Sequence, residues 1–242
     1  MTTPKMKIEV WTDIMCPYCY IGKLHYEKAL AQFEHADEVE LVIKSFRLST
    51  DLPGKGNGYP VVEYLVDKAG YPKENIDQMF TGLEKLAKDA GVKCDLRNSL
   101  AANTLDAHRL IKLAATKGLE SIVTTLISKA YFEEAKDYSD TELLVSIGLK
   151  AGLQKDEIIE TLNGDKFEKE VDRDVKEAQE LGIDTVPTFL FERKYAIVGS
   201  EPVSSFLETL QKAYNSWKSD NTNTGIDVTK GKSCTIDGVC DL

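Results

Sequence analysis

Residues 14–22, IMCPYCYIG, set two of the chain's five cysteines three positions apart, with a proline between them and a tyrosine on each side of the second. Such a pair can be a redox dithiol, half of a zinc site, or two small buried residues. Each reading needs a different environment around Cys16 and Cys19, so the flanking sequence decides.

Upstream, KIEVWTDI (7–14) is rich in β-branched and aromatic residues and reads as a strand. Downstream, Ile21, Leu24, Leu30 and Phe33 recur at roughly helical spacing between Pro17 and about His35. The CPYC therefore sits where a strand hands over to a helix. Pro17 suits the first helical position, where its missing N–H has no partner to lose. VELVIKSFRL (39–48) alternates as a second strand, and DLPGKGNGYP (51–60), dense in Gly and Pro, reads as a loop. The first fifty residues thus spell β-α-β.

Composition limits what such a chain can do. With 242 residues and 42% hydrophobic content it can bury a full core, as one large domain or one domain carrying a sizeable insertion. Its 30 Lys and Arg against 40 Asp and Glu give a net charge of −10, which repels phosphate backbones and anionic headgroups. Neither nucleic-acid nor membrane partners are expected. No stretch approaches the roughly 18 apolar residues of a membrane span. The N-terminus MTTPKMKIEVWTD lacks an apolar core with a small-residue cleavage site, which reads as cytoplasmic residence. In a reducing compartment, close cysteine pairs are catalytic, redox-sensing or metal-binding before they are structural disulfides.

From Val61 to about Leu181 nearly every segment has helical period, with helices expected over 61–69, 74–90, 99–117, 119–135, 140–151, 155–163 and 165–181 and no convincing strand. TFLFE (188–192) and YAIVG (195–199) then form a hairpin around Arg193-Lys194, and 202–217 returns to helix. The tail from 219 to 242, rich in Gly, Thr and Asn, reads as flexible. The order is β-α-β, a long helical block, then β-β-α. That is the connectivity of an α/β thioredoxin fold with a large all-helical domain inserted in its middle. Its expected boundaries are 1–58 with 182–217 for the thioredoxin-like part, 59–181 for the insertion and 218–242 for the tail.

Position then assigns chemistry. A cysteine at a helix N-terminus faces unpaired backbone N–H groups and the positive end of the dipole, which favour the thiolate. Cys16 is expected to be a nucleophile ready near neutral pH, and Cys19, one turn on and less exposed, to resolve the mixed disulfide. A second feature points the same way. GIDTVPTFLF (182–191) places Pro187 at the head of a strand, and a cis Val186-Pro187 bond would turn the backbone of Thr185 and Val186 toward the CxxC opposite.

Three separated stretches, WTDIMCPYCYIGK, NTLDAHRL (103–110) and LGIDTVPTFLFERKYAIVGSEP (181–202), together resemble the DsbA-like thioredoxin superfamily, specifically its FrnE-like branch of cytoplasmic dithiol–disulfide oxidoreductases. The resemblance covers residues 6 to about 215. It implies Cys16 and Cys19 as the redox pair and a cis-proline at Pro187 that helps hold extended substrate chains, with Pro17, Tyr18, Thr185 and Val186 around them. It also implies that the helix bearing Asn103 and His108 faces the active-site side of the insertion, where both would contact substrate or tune Cys16. Some FrnE-like members carry a second C-terminal cysteine pair, which makes Cys234 and Cys240 an auxiliary redox pair by resemblance; the C-x5-C spacing alone would not. A flexible chain from 218 to 234 spans roughly 20–25 Å, enough to visit the CPYC.

Other readings stay open. Cys16, Cys19, Cys234 and Cys240 could close a zinc tetrahedron, although structural zinc favours shorter spacings in both halves; no metal is expected. Cys94 reads as an ordinary half-buried residue. Asp13, three positions before Cys16, either influences its proton or satisfies a strand end. The superfamily also holds hydroxychromene-carboxylate isomerases and kappa-class glutathione transferases, which usually have serine at the first cysteine position. Retention of both cysteines argues against that chemistry but leaves a glutathione-binding groove compatible. The expected function is a cytoplasmic thiol–disulfide oxidoreductase or isomerase acting on protein disulfides or thiols, as monomer or homodimer. It would hold no tightly bound cofactor, and glutathione would be a candidate electron donor or substrate. The competing reading is a holdase-type chaperone whose cysteines only sense oxidation.

Overall fold

The structure, a computed structural model, describes residues 5–219 and 227–235. Its centre is a five-stranded mixed sheet in the order β2-β1-β6-β7-β8. β1 (Met6–Thr12) runs parallel to β2 (Val39–Ser45) and antiparallel to β6 (Thr188–Phe191), and β6 turns back into β7 (Tyr195–Val198). α1 (Pro17–Leu30) supplies the crossover from β1 to β2, and α9 (Val203–Ser219) follows β7. This is the expected β-α-β and β-β-α connectivity.

β1 is buried at every position except Lys7, because helices cover both faces of the sheet. Val10 lies opposite Phe189 and Ile8 opposite Phe191, so these four share one face. There Phe189 meets Tyr26 of α1 and Phe206 of α9, with ring centroids 5.7 and 4.9 Å away. Trp11 points to the other face, where its indole N–H donates to the Asp174 carbonyl at 3.0 Å. Asp174 belongs to α8 (Glu168–Glu180), the last helix of the insertion. Charged groups complete this face: Lys44 of β2 lies 3.4 Å from Asp174 and 2.8 Å from Glu177, and Arg193 holds Glu9 through an N–H at 2.7 Å.

The insertion folds as α2 (Val61–Asp67), α3 (Lys73–Ala90), α4 (Leu105–Ala115), α5 (Glu120–Phe132), α6 (Thr141–Ala151), α7 (Lys155–Asn163) and α8. Asp140 caps α6, accepting from the Glu142 N–H at 2.7 Å. One expected helix is corrected. Residues 99–117 do not begin as helix; Leu100–Ala101 form a short strand, β4, paired with β3 (Tyr59–Pro60), and α4 starts only at Leu105. The reason is Asn103, whose side-chain oxygen accepts from the Leu105 N–H at 3.0 Å and so fixes the start of the helix.

The tail is the second correction. β8 (Asp227–Lys230) adds to the sheet edge parallel to β7, and β9 (Cys234–Thr235) pairs antiparallel with β5 (Thr185–Val186). The Ser200 N–H donates to the Lys232 carbonyl at 2.9 Å between these two pairings. Gly199 makes the close approach possible: its φ is +90°, and an added Cβ would collide with the Gly231 carbonyl. Cys240 lies outside the described residues.

Gly199→Val places a β-branched side chain at positive φ and against Gly231, so it is expected to lift residues 227–235 off the sheet while leaving the core folded. Limited trypsin digestion should then cut at Lys230 or Lys232 at least about tenfold faster than in the parent chain, with little change in the thermal midpoint; equal cleavage rates would mean the contact does not hold the tail.

Candidate active site

Cys16 is the N-cap of α1, with extended backbone (φ −86°, ψ 115°), and Pro17 occupies the first turn as expected. The Cys16 N–H closes a turn onto the Asp13 carbonyl at 3.2 Å. From this position the Cys16 sulfur meets two partners from distant parts of the chain. Its Sγ lies 3.7 Å from the Val186 carbonyl oxygen and 3.2 Å from the Cys234 Sγ. The Val186-Pro187 peptide is cis. Pro187 packs close to Gly22 of α1, where a Cβ would stand 3.1 Å from the proline ring.

Cys234 comes to this point because Val186 pairs with it in the β5–β9 ladder, so the tail strand lies along the proline turn. Cys234 is disulfide-bonded, whereas Cys16, Cys19 and Cys94 carry free thiols. Cys16 and Cys234 are fully buried and Cys19 is 4% exposed.

That burial overturns one expectation. Cys16 is not held as a ready thiolate: desolvation, then the hydrogen bond and charge of the neighbouring Cys19 thiol, push its pKa well above the ordinary thiol value. The Cys19 backbone N–H at the start of the helix pulls the other way, as helix position predicts, and Asp13 adds a smaller upward push. The helix-terminus effect is present and burial outweighs it.

Of the other residues singled out by sequence, Thr185 and Val186 form β5 itself, and the Thr185 carbonyl accepts from the Thr188 hydroxyl at 2.6 Å. Tyr18 lines a cavity of about 400 Å³ together with Asn75, Met79, Leu83, Lys85 and Lys232, between α1, α3 and the tail. A smaller apolar cavity of about 50 Å³ touches Met15, Pro17, Leu65, Phe80, Tyr131 and Cys234. Tyr20 is core: its ring stacks on Phe132 and its hydroxyl donates to Glu133 at 2.7 Å. Cys94 is half-buried, its thiol pushed up to about 12 by burial, with Glu84 and Asp95 adding to it. Asp13 and His108 come together, fully buried, with Oδ1 and Nε2 3.2 Å apart. Asn103 is not brought to the sulfur; it bonds Arg47, the Thr50 carbonyl and the start of α4.

Sequence reasoning missed Gly22, Gly199, Ser200 and the strand character of 227–235. The available signals were a glycine inside α1 and two glycines, 199 and 231, flanking the segments that must meet.

Sheet order and the surroundings of Cys16 define the class, a thioredoxin-fold oxidoreductase. The chain belongs to the DSBA-like thioredoxin domain family, whose model matches residues 7–211. A "probable DsbA oxidoreductase" from Streptomyces coelicolor is 32% identical, with 98% of this chain and 99% of that one covered and a TM-score of 0.80. A 2-hydroxychromene-2-carboxylate isomerase shares the fold at 13% identity, covering 90% of this chain and 100% of its own, with a TM-score of 0.65. The cytosolic disulfide reductase DsbM from Pseudomonas aeruginosa, solved with GSH, does so at 17% identity, covering 89% and 98%, with a TM-score of 0.52. Among the described residues, no helix is long and apolar enough to cross a membrane.

The raised Cys16 pKa carries a sign for stability. An unfolded chain loses this proton near the ordinary thiol value, about 8.5, while the folded one keeps it, so the contribution is full below that pH and is lost as pH rises toward the folded value. Denaturant titrations of the parent and Cys16→Ser chains, with Cys16 and Cys19 reduced, should therefore diverge above about pH 8, the parent losing stability faster. Parallel curves would show that Cys16 is not buried as a thiol.

Proposed function

We propose that the chain works as a cytoplasmic thiol–disulfide oxidoreductase in which Cys16 attacks, Cys19 resolves, and the tail pair Cys234 and Cys240 is an internal exchange partner. The observation that carries this reading is the 3.2 Å approach of the Cys16 sulfur to the sulfur of disulfide-bonded Cys234. The Cys16 thiolate attacks Cys234, forms a Cys16–Cys234 disulfide and expels the partner sulfur as a thiolate, which takes up a proton. The Cys19 thiolate then attacks Cys16, forms the Cys16–Cys19 disulfide and releases Cys234. Two electrons pass from the CPYC dithiol to the tail, leaving the CPYC oxidised.

The tail strand also marks how a substrate would lie. An extended segment carrying a cysteine takes the place of β9 against Thr185 and Val186, with main-chain hydrogen bonds for affinity and the apolar cavity beside Cys16 for a neighbouring side chain. Burial of Cys16 under the tail keeps the closed form slow, so turnover requires β9 to leave. Glutathione is the small thiol we assign as electron donor, on the precedent of the GSH found with the P. aeruginosa protein.

Glutathione-coupled reduction of a protein disulfide tests the assignment. Cys16→Ser should abolish turnover, a loss of at least about a hundredfold. Cys19→Ser should keep single attack and accumulate a Cys16-linked mixed disulfide, visible by non-reducing peptide mass spectrometry. A Cys16→Ser chain that still turns over would sink the reading, and one that only suppresses aggregation would point to the holdase.

A further inference from the structure

The tail fixes the frame in which an extended segment lies beside Cys16, because two main-chain anchors hold it. The Ser200 N–H donates to the Lys232 carbonyl at 2.9 Å. Two residues on, Cys234 pairs with Val186 and brings its sulfur to 3.2 Å from the Cys16 sulfur. Neither anchor reads a side chain. Any segment that takes the place of the tail with a cysteine at the Cys234 position therefore sets the second residue before that cysteine where Lys232 stands.

At that position opens the cavity of about 400 Å³ between α1, α3 and the tail. Its floor is apolar, made by Tyr18, Met79, Leu83 and Leu86, while Lys85 and Asp89 stand exposed at its rim. Among the described tail residues Lys232 alone lines it; Ser233 lines a groove with Thr188, Ala196 and Val228, and Cys234 lines the small apolar cavity. We propose that this cavity is a specificity subsite for protein substrates, and that the chain favours cysteines with a lysine or arginine two residues before them. The stem of such a side chain lies on the apolar floor and its charged head reaches the rim. With the tail in place the lining holds two cations and one carboxylate; once Lys232 leaves, Lys85 and Asp89 remain. An incoming cation restores the charge set that the closed form already accommodates, whereas a glutamate would put a second carboxylate beside Asp89. The net charge of −10 acts in the same direction. Recognition would then be a task of the insertion, since α3 supplies most of the floor and the rim.

This rests on Cys16 as the attacking thiol with an extended substrate in the place of the tail, and the test separates the two claims. Two isomeric peptides each carry one cysteine, joined by a disulfide to an aromatic thiol, and one lysine, either two residues before the cysteine or two after it. They compete for the full-length chain with Cys16 and Cys19 reduced. The Cys16 thiolate attacks the peptide sulfur and expels the aromatic thiolate; Cys19 then attacks Cys16, closes the CPYC disulfide and releases the peptide thiolate, which takes up a proton. Isotope labelling of one isomer lets mass spectrometry count the two released peptides, and the same competition with glutathione alone removes their intrinsic difference. The isomer with lysine before the cysteine should win by about fivefold, the scale of one partly exposed charge contact with a covered stem. Asp89→Lys reverses the rim charge, and Gly82→Phe fills the cavity from a position whose added Cβ meets open space; each should bring the ratio to about one. A parent chain without preference, or a preference that survives in either variant, overturns the proposal and leaves the Cys16 chemistry standing. If one variant does not fold, the parent and the other variant decide. A parent chain that releases neither peptide faster than glutathione does would remove Cys16 as the attacking thiol, and the subsite with it.

Discussion

One sulfur atom must stay dry between three segments that are far apart in sequence. The start of α1, the turn at Val186-Pro187 and the tail at Cys234 converge on Cys16, and each is placed by a different part of the sheet. α1 is held on one face by the contact of Tyr26 with Phe189 and Phe206, the proline turn is the lead-in to β6, and the tail is carried in by β8 at the far edge. The same convergence that brings reactive atoms together removes water from them. Proximity and a raised thiol pKa are thus two results of one packing arrangement.

The insertion takes part in this arrangement. α8 packs under Trp11, Lys44 and Glu177 tie it to β2, and α4 supplies His108 behind the turn from Asp13 to Cys16. The cavity beside Tyr18 is built largely by α3. A helical block between β2 and β6 therefore supplies one wall of the site and a buried imidazole behind it, which explains why so large an interruption of the sheet leaves no gap over β1.

Much of the fold was legible in sequence because its signals are local. A β-branched run before CPYC, a proline at the first helical position and Val-Pro before an apolar run each carry their own stereochemistry, and each appears where expected. What was not legible depends on partners far along the chain. Residues 227–235 read as coil by composition because their strand character comes from β7 and β5, not from propensity. The helix expected from 99 was drawn too early because Asn103 competes for the backbone at a point where hydrophobic spacing is blind. The protonation of Cys16 could not be read either: the helix end is visible in sequence, whereas the cover over it is made by residues more than two hundred positions away.

The two ladders that hold the tail are unequal. β8 shares four register pairs with β7, while β9 shares two with β5. A peel from the weak end would let Cys234 leave the sulfur while β8 stays in place. β7 then never becomes a bare sheet edge, the kind of surface on which chains stack into aggregates. In that mode the thiol would be uncovered while β7 keeps its cover, and the edge left open to further pairing would be the short, four-residue β8.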